Sequence, residues 1–423
     1  LLGLSGVYTQ MLDETRPVMR GLSAPFGLSY VPGQWLESIQ IAKGSSSVLN
    51  GVECMTGQIN MEHRKPTDEK PLFINGAVMS DTKMDLNVAS SLQMGYKWST
   101  VILGHVSGNI EEHDMNGDGF MDDPKMLQFN LSNRWLYQAD NGVQVRFGVR
   151  ALQDSRLGGQ MLHNDDGGRV FYNKDTYTLT PSAGQIDPWG SDILNRSING
   201  YLKVGVPLNE DNSQNIALVA DYSYQDMDSY FGATKYLAGQ HSAFGNLLYQ
   251  NEVNESHKFT LGMSATFDRY MEDFRRQIWF NALPSDTVFD NPLTKLANGG
   301  VFGEYTFHAG DKFSAITGLR GDFYKKSGTK IATKVSPRVT IKYMPIEEIV
   351  IRANGGRGVR YSTPLIDNIG VFSTGKLFSG QFDDHILEDA WTFGGNITYY
   401  LPFGASSSPY LSFDYFRTQF VQQ

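Results

Sequence analysis

The chain has 423 residues, 40% of them hydrophobic, a formal net charge of -9 and a single cysteine. It holds no uninterrupted apolar run long enough for a transmembrane helix, which excludes a helical membrane protein but not a membrane barrel, where only every second strand residue must face lipid. The acidic balance, with no basic block, argues against nucleic acid as a partner, and the lone Cys54 excludes an internal disulfide framework and reads as a small buried hydrophobe.

The chain opens at Leu1-Leu2-Gly3 with neither an initiator Met nor a secretory leader, and is expected to be a fragment. Residues 1–66 mix short elements. Val31-Pro32-Gly33-Gln34-Trp35-Leu36-Glu37-Ser38-Ile39-Gln40-Ile41 predicts a turn and short helix running into a strand, and Lys43-Gly44-Ser45-Ser46-Ser47 a polar turn. Val48-Leu49-Asn50-Gly51 and Gly57-Gln58-Ile59-Asn60-Met61 predict a second short helix or turn and a second strand. The full spacing of a phosphate-binding loop is absent.

From about residue 70 the pattern changes to strict alternation. Val143, Val145, Phe147 and Val149 share one face while Gln144, Arg146 and Arg150 share the other; Phe259, Leu261, Met263, Ala265 and Phe267 repeat the pattern. A period of two with opposite chemistry on its faces means strands between an apolar and a polar medium. Fifteen strands are predicted, at about 72–80, 84–94, 97–108, 125–138, 142–154, 195–207, 213–226, 235–251, 255–270, 298–309, 312–325, 333–344, 348–360, 389–402 and 408–421. One set of connections is turn-like, among them Gly95-Tyr96, Ala139 to Gly142, Ala309-Gly310-Asp311 and Gly404-Ala405. The other set, apart from a tight first member near Asp81-Thr82, is long, as in 108–124, 155–194, 271–297 and 361–388. Short turns at one end and long loops at the other predict an outer-membrane barrel with periplasmic turns, and an odd strand count predicts that strands are missing from it. A soluble multi-sheet β-protein is the rival, but leaves Lys203, Asp221, Glu304, Arg320 and Lys342 unexplained on the polar faces.

The loops supply the candidate chemistry. Asp114, Asn116 and Asp118, followed by Gly119, the Phe120 carbonyl and Asp122 or Asp123, match the first half of an EF-hand-type loop, with Lys125 where the bidentate Glu would stand. This leaves two readings open: a calcium site of extracellular strength, Kd about 10⁻⁴ to 10⁻³ M, or a solvated turn. The eight His are scattered and no pair has metalloenzyme spacing. Met161-Leu162-His163 with Met115, Met121 and Met126 offers soft ligands for copper, although Met serves more often as packing. No catalytic constellation is present, so an enzyme is not expected.

The run from Pro32 to Asn60 resembles the proline, helix, "I-x-I-x-K/R-G-x-x-S", "G" and "G-x-I-N" order in the plug of TonB-dependent outer-membrane receptors. Lys43 stands where many members have Arg, and Glu53-Cys54-Met55 replaces smaller residues. Gly318-Leu319-Arg320-Gly321-Asp322, Ser336-Pro337-Arg338-Val339, Arg352 to Tyr361, and His385-Ile386-Leu387-Glu388 through Asp414-Tyr415-Phe416 resemble recurrent barrel motifs of that family. The resemblance implies an all-β fold: about fifteen strands of a 22-stranded transmembrane antiparallel barrel over 67–423, with the C-terminal part of an α+β plug, 1–66, inside it. It further implies an outer-membrane receptor that imports a ferric siderophore or cobalamin, with a periplasmic TonB-type transducer and outer-membrane lipid as partners. Oligosaccharide, peptide or copper import is the alternative within the family, and an adhesin or passive porin the alternative outside it. By the same resemblance, the stretch before Pro32 corresponds to an apical plug loop, which makes Met19, Arg20, Leu22, Ser23 and Phe26 the candidate ligand contacts; the alternative is that Leu22 and Phe26 only pack the loop against the plug core.

Overall fold

A computed structural model describes residues 1–51, 53–67, 70–179, 181–280, 283–374, 376, 386–402 and 409–422, with backbone alone over 278–280 and 283–292. Near the N-terminus β1 (Thr9–Asp13), β2 (Leu36–Lys43) and β3 (Gly57–His63) form a three-stranded sheet, β3 central, parallel to β1 and antiparallel to β2. The expected short helices are 3-10 turns, Gly33–Trp35 leading into β2 and Val48–Asn50 standing before β3.

Fifteen further strands form one sheet in chain order, each antiparallel to its neighbours. They are β4 (Phe73–Val78), β5 (Met84–Met94), β6 (Trp98–Asn109), β7 (Lys125–Gln138), β8 (Gln144–Gly159), β11 (Gly190–Pro207), β12 (Gln214–Phe231), β13 (Thr234–Asn254), β14 (His257–Phe280), β15 (Leu283–Ala309), β16 (Phe313–Lys326), β17 (Ala332–Tyr343), β18 (Ile349–Tyr361), β19 (Leu387–Tyr400) and β20 (Tyr410–Gln422). A two-residue hairpin, β9 (Leu162–His163) and β10 (Arg169–Val170), lies in the loop between β8 and β11. All fifteen predicted strands exist. β4 and β20 are the free edges, so the barrel is incomplete.

Alternation puts lipid chemistry outside and polar chemistry inside. On β14, Phe259, Leu261, Met263 and Phe267 are exposed while Thr260, Ser264 and Asp268 are buried. From Phe259 to Phe267 is about 26 Å of tilted strand, the order of the apolar band that membrane barrels present. On β8 Val149 is exposed, whereas Arg150 reaches inward to the Tyr30 carbonyl at 3.2 Å. Near the short-turn end Trp135 and Phe147 stack at 6.1 Å and Trp98 meets Tyr137 at 4.7 Å, an aromatic girdle.

Three connections differ from expectation. The described residues of the predicted loop 271–297 are strand: β14 continues to Phe280 and β15 starts at Leu283. Similarly β12 and β13 run on to a tight turn at Gly232-Ala233, and 155–194 is shortened at both ends by β8 and β11. The physical reason is common to all three. Above the apolar band the outer face is wet, so Asp273 and Arg275 replace apolar residues there, and hydropathy stops alternating although the backbone ladder continues. The turn at Gly404-Ala405 and His385 lie outside the described residues.

Candidate functional site

The three-stranded sheet lies against the polar inner wall, and charge holds it there. β1 ends in a tight turn in which Glu14 and Thr15 both take positive φ, 47° and 68°, a conformation that β-branched residues avoid. The barrel over-determines this turn. Arg16 pairs with Asp221 of β12 at 2.7 Å and lies 3.9 Å over the Tyr201 ring, Glu14 pairs with Arg134 of β7, and Lys203 of β11 donates to the Glu14 carbonyl at 2.5 Å. His63 and Arg150 stand 3.1 and 3.4 Å from Asp13. Burial pushes the Asp13 carboxyl up, but His63 and Arg16 outweigh it and hold it well below the usual carboxylate range. Burial likewise raises Glu14, and Arg134 and Lys203 overcome it, so its pKa is lowered.

The segment from Arg16 to Tyr30 then rises toward the long-loop end. Arg20 binds Glu53 of the next loop at 2.6 Å and Asp268 of β14 at 3.0 Å. The Leu22 amide donates to Gln240 Oε1 at 2.9 Å. Gly21 has φ +59°, which strains any residue with a side chain, and a Cβ there would stand 2.4 Å from the same oxygen, so a substitution would displace Gln240. Leu22 is wholly buried among Met227, Tyr236, Phe274, Ile366 and Phe372, with Phe26 packed on the cluster. Ile366 belongs to α1 (Pro364–Asp367) and Phe372 to the 3-10 turn Ile369–Ser373, so residues 364–373 of the connection after β18 pack against this turn as a cover. Met19 is buried with Met11, Val31 and Met61, and Ser23 Oγ donates to the Arg20 carbonyl at 3.0 Å.

The five candidate contacts thus share one turn, but each is engaged with protein. The space lined by Gln10, Met11, Met19, Arg20, Tyr270 and Arg360 is about 50 Å³, room for a few waters and not for a chelate in this conformation. A concavity of about 900 Å³ that includes Leu86, Val106, Phe129 and Ile198 opens on the lipid-facing wall and belongs to no interior site.

The Asp-rich loop binds its own backbone. Asp114 accepts from Gly117, Asp118 and Gly119 N–H at 2.7, 3.2 and 2.8 Å, Asp122 from Met115 at 2.7 Å, and Asp118 from Phe120 at 2.9 Å. Asn116 donates to Asp118 at 3.1 Å, and Phe120 is bridged to Gln160. Asp123 adjoins them in sequence. Among the described residues no three His, Cys, Asp or Glu side chains are grouped to hold a metal.

Sequence reasoning missed Glu53, Gln240, Asp268 and the cover segment. Asp268 was legible as an inward polar position on a membrane strand, whereas the cover depends on tertiary packing alone. The barrel motifs find a common purpose. Gly318 abuts Val48, Arg320 donates to the Val48 carbonyl at 3.5 Å, Arg338 to the Ser47 carbonyl at 2.8 Å, and Arg360 to the Val7 carbonyl at 2.7 Å. They form the inner surface against which the small sheet docks.

The family model described as TonB dependent receptor-like, beta-barrel matches residues 113–420. No curated protein sequence matches the chain. Among solved structures it is similar to the copper transporter OprC (14% identity, TM-score 0.67, covering 94% of this chain and 62% of that one). It is also similar to the siderophore receptor PiuA from Acinetobacter baumannii (13%, 0.64, 95% and 64%) and to the ferric yersiniabactin uptake receptor FyuA from Yersinia pestis (14%, 0.65, 99% and 64%). At these identities the likeness is one of fold, and the chain spans less than two thirds of each of these proteins. With the family model covering most of its length and the barrel's motifs arranged around an interior sheet, the chain belongs to the TonB-dependent receptor family.

Proposed function

We propose that this protein stands in the outer membrane of a Gram-negative bacterium and imports a scarce nutrient complex, a ferric siderophore or cobalamin, using work delivered by a periplasmic TonB-type transducer. Residues 1–66 are the C-terminal part of its plug and 67–423 its barrel wall. The observation that carries this reading is the set of buried ion pairs between the segment that follows β1 and the wall, Arg16 with Asp221 and Arg20 with Asp268. Removing one partner of a buried pair costs about 3–5 kcal/mol, so an interior held this way is opened by work and not by diffusion. A passive pore has no use for it. Met19, Arg20, Leu22, Ser23 and Phe26 are the ligand contacts once the cover has moved, Arg20 offering charge-assisted donors and Phe26 an apolar face.

A copper cargo is the second reading, favoured by Met11, Met19 and Met61 packed together beneath the turn. The test is binding to the purified receptor of radiolabelled ferric chelates, cyanocobalamin and copper. One ligand is expected to bind, and more weakly to Arg20→Ala, Phe26→Ala. Undiminished binding by the folded double variant removes the turn from the site.

A further inference from the structure

On the outer face of the wall, Arg269 and Lys295 stand opposite one another and Lys325 one outward step nearer the short-turn end, a staggered row of three cations. Arg269 of β14 is the ladder partner of Lys295 of β15, and Lys295 accepts at its carbonyl from Ser327, two residues beyond the outward Lys325 of β16. Alternation fixes their direction: Phe267 and Arg269 are exposed while Asp268 and Tyr270 are buried, and Phe323 and Lys325 are exposed while Asp322 and Tyr324 are buried. Like charges directly opposite on adjacent strands repel. Elsewhere on this face the wall avoids that cost: Arg196 pairs with Asp226 at 2.5 Å, and Asp273 serves Arg275 and Lys235 at 3.1 and 3.6 Å. Among the described residues, Arg269, Lys295 and Lys325 have no acidic partner: Arg269 reaches only Met271 Sδ at 4.0 Å, and Lys325 donates to the Thr329 carbonyl.

Immediately below the row, toward the short-turn end, the wall is hollowed. Ala243, Gly245, Ala265, Ala297 and Gly299 leave a trough of about 580 Å³, flanked by Phe267 and Phe323 and rimmed by Lys325. The row marks where the apolar band of β14 ends, at the long-loop side, so in the proposed orientation it lies at the level of the outer leaflet's headgroups. We infer that this face binds a phosphorylated, acylated lipid of the outer leaflet, its phosphate bridging Arg269, Lys295 and Lys325 and an acyl chain lying in the trough. Phosphate supplies the missing anion and accepts from all three side chains, and the chain fills an apolar hollow that aligned side chains leave open.

The inference rests on the wall facing a membrane, and the experiment separates the two. The receptor is purified in detergent, its folding read by heat-modifiable migration, and its retention of diphosphorylated lipid A followed by native mass spectrometry. Wild type is expected to keep one lipid. Arg269→Gln, Lys295→Gln, Lys325→Gln together weaken retention at least tenfold, as does dephosphorylated lipid A. Ala265→Trp fills the trough and weakens it with the cations intact, whereas Arg275→Gln, already paired, leaves it unchanged. Equal retention by wild type and the triple variant overturns the site, and so does inorganic pyrophosphate binding as tightly as the lipid. Absence of heat-modifiable migration overturns the barrel reading itself, and the site with it.

Discussion

Arg20 of the plug turn and Asp268 of β14 form a 3.0 Å ion pair whose carboxylate side chain is only 3% exposed. The pair joins the candidate ligand turn directly to the transmembrane wall. Glu53 completes it at 2.6 Å from the same guanidinium. A ligand that recruits Arg20 therefore loosens two plug loops from each other and from the barrel.

Asp268→Ala leaves Arg20 with Glu53 alone. Because the Arg20 side chain keeps 17% exposure, the cost is expected at about 1–3 kcal/mol, below that of a fully buried pair. Hydrogen exchange at the amides of residues 18–24 and 26 is expected to speed up roughly tenfold or more, with Leu261 unchanged. Equal acceleration throughout the barrel would mean global damage instead.

Phe372→Ala is expected to release the cover. Truncating a buried Phe costs about 3–5 kcal/mol, and Phe372 contacts Tyr236 and Phe274 at ring distances of 5.3 and 5.1 Å. In a Leu22→Cys background, a membrane-impermeant maleimide is expected to label the turn much faster when Phe372 is truncated. An unchanged labelling rate would show that the cover does not guard the turn.

Acid is expected to undock the plug turn only at low pH. Asp13 and Glu14 both have lowered folded pKa values, so their contribution is fully present above their unfolded values, about 4, and is lost as pH falls through the depressed folded values. Protection of β1 amides, measured after brief acid pulses, is expected to hold from pH 7 to about 5 and to fail below about 4. Failure between pH 7 and 5 would assign the docking to another group.

How much was legible depended on which medium each residue meets. Where lipid imposed alternation, as at Val143 to Arg150 or Phe259 to Phe267, strand and face could be read directly. Above the band, Met271, Asp273 and Arg275 meet water, and strand was mistaken for loop. Gly318, Arg338 and Arg360 were recognisable as motifs without their purpose, since Val48, Ser47 and Val7 lie hundreds of residues away in sequence. Arg20 was legible as a charge in an apical loop; its partners Glu53 and Asp268 are set by tertiary contact, which no local pattern encodes.

The most direct test of the account is uptake of labelled ferric chelates, cyanocobalamin and copper by cells lacking the receptor, with and without a working transducer. The account predicts that one of these is imported only when the receptor is restored, and that removing the transducer abolishes import while surface binding persists. Import that continues at the same rate without the transducer would make the protein a passive pore and contradict it.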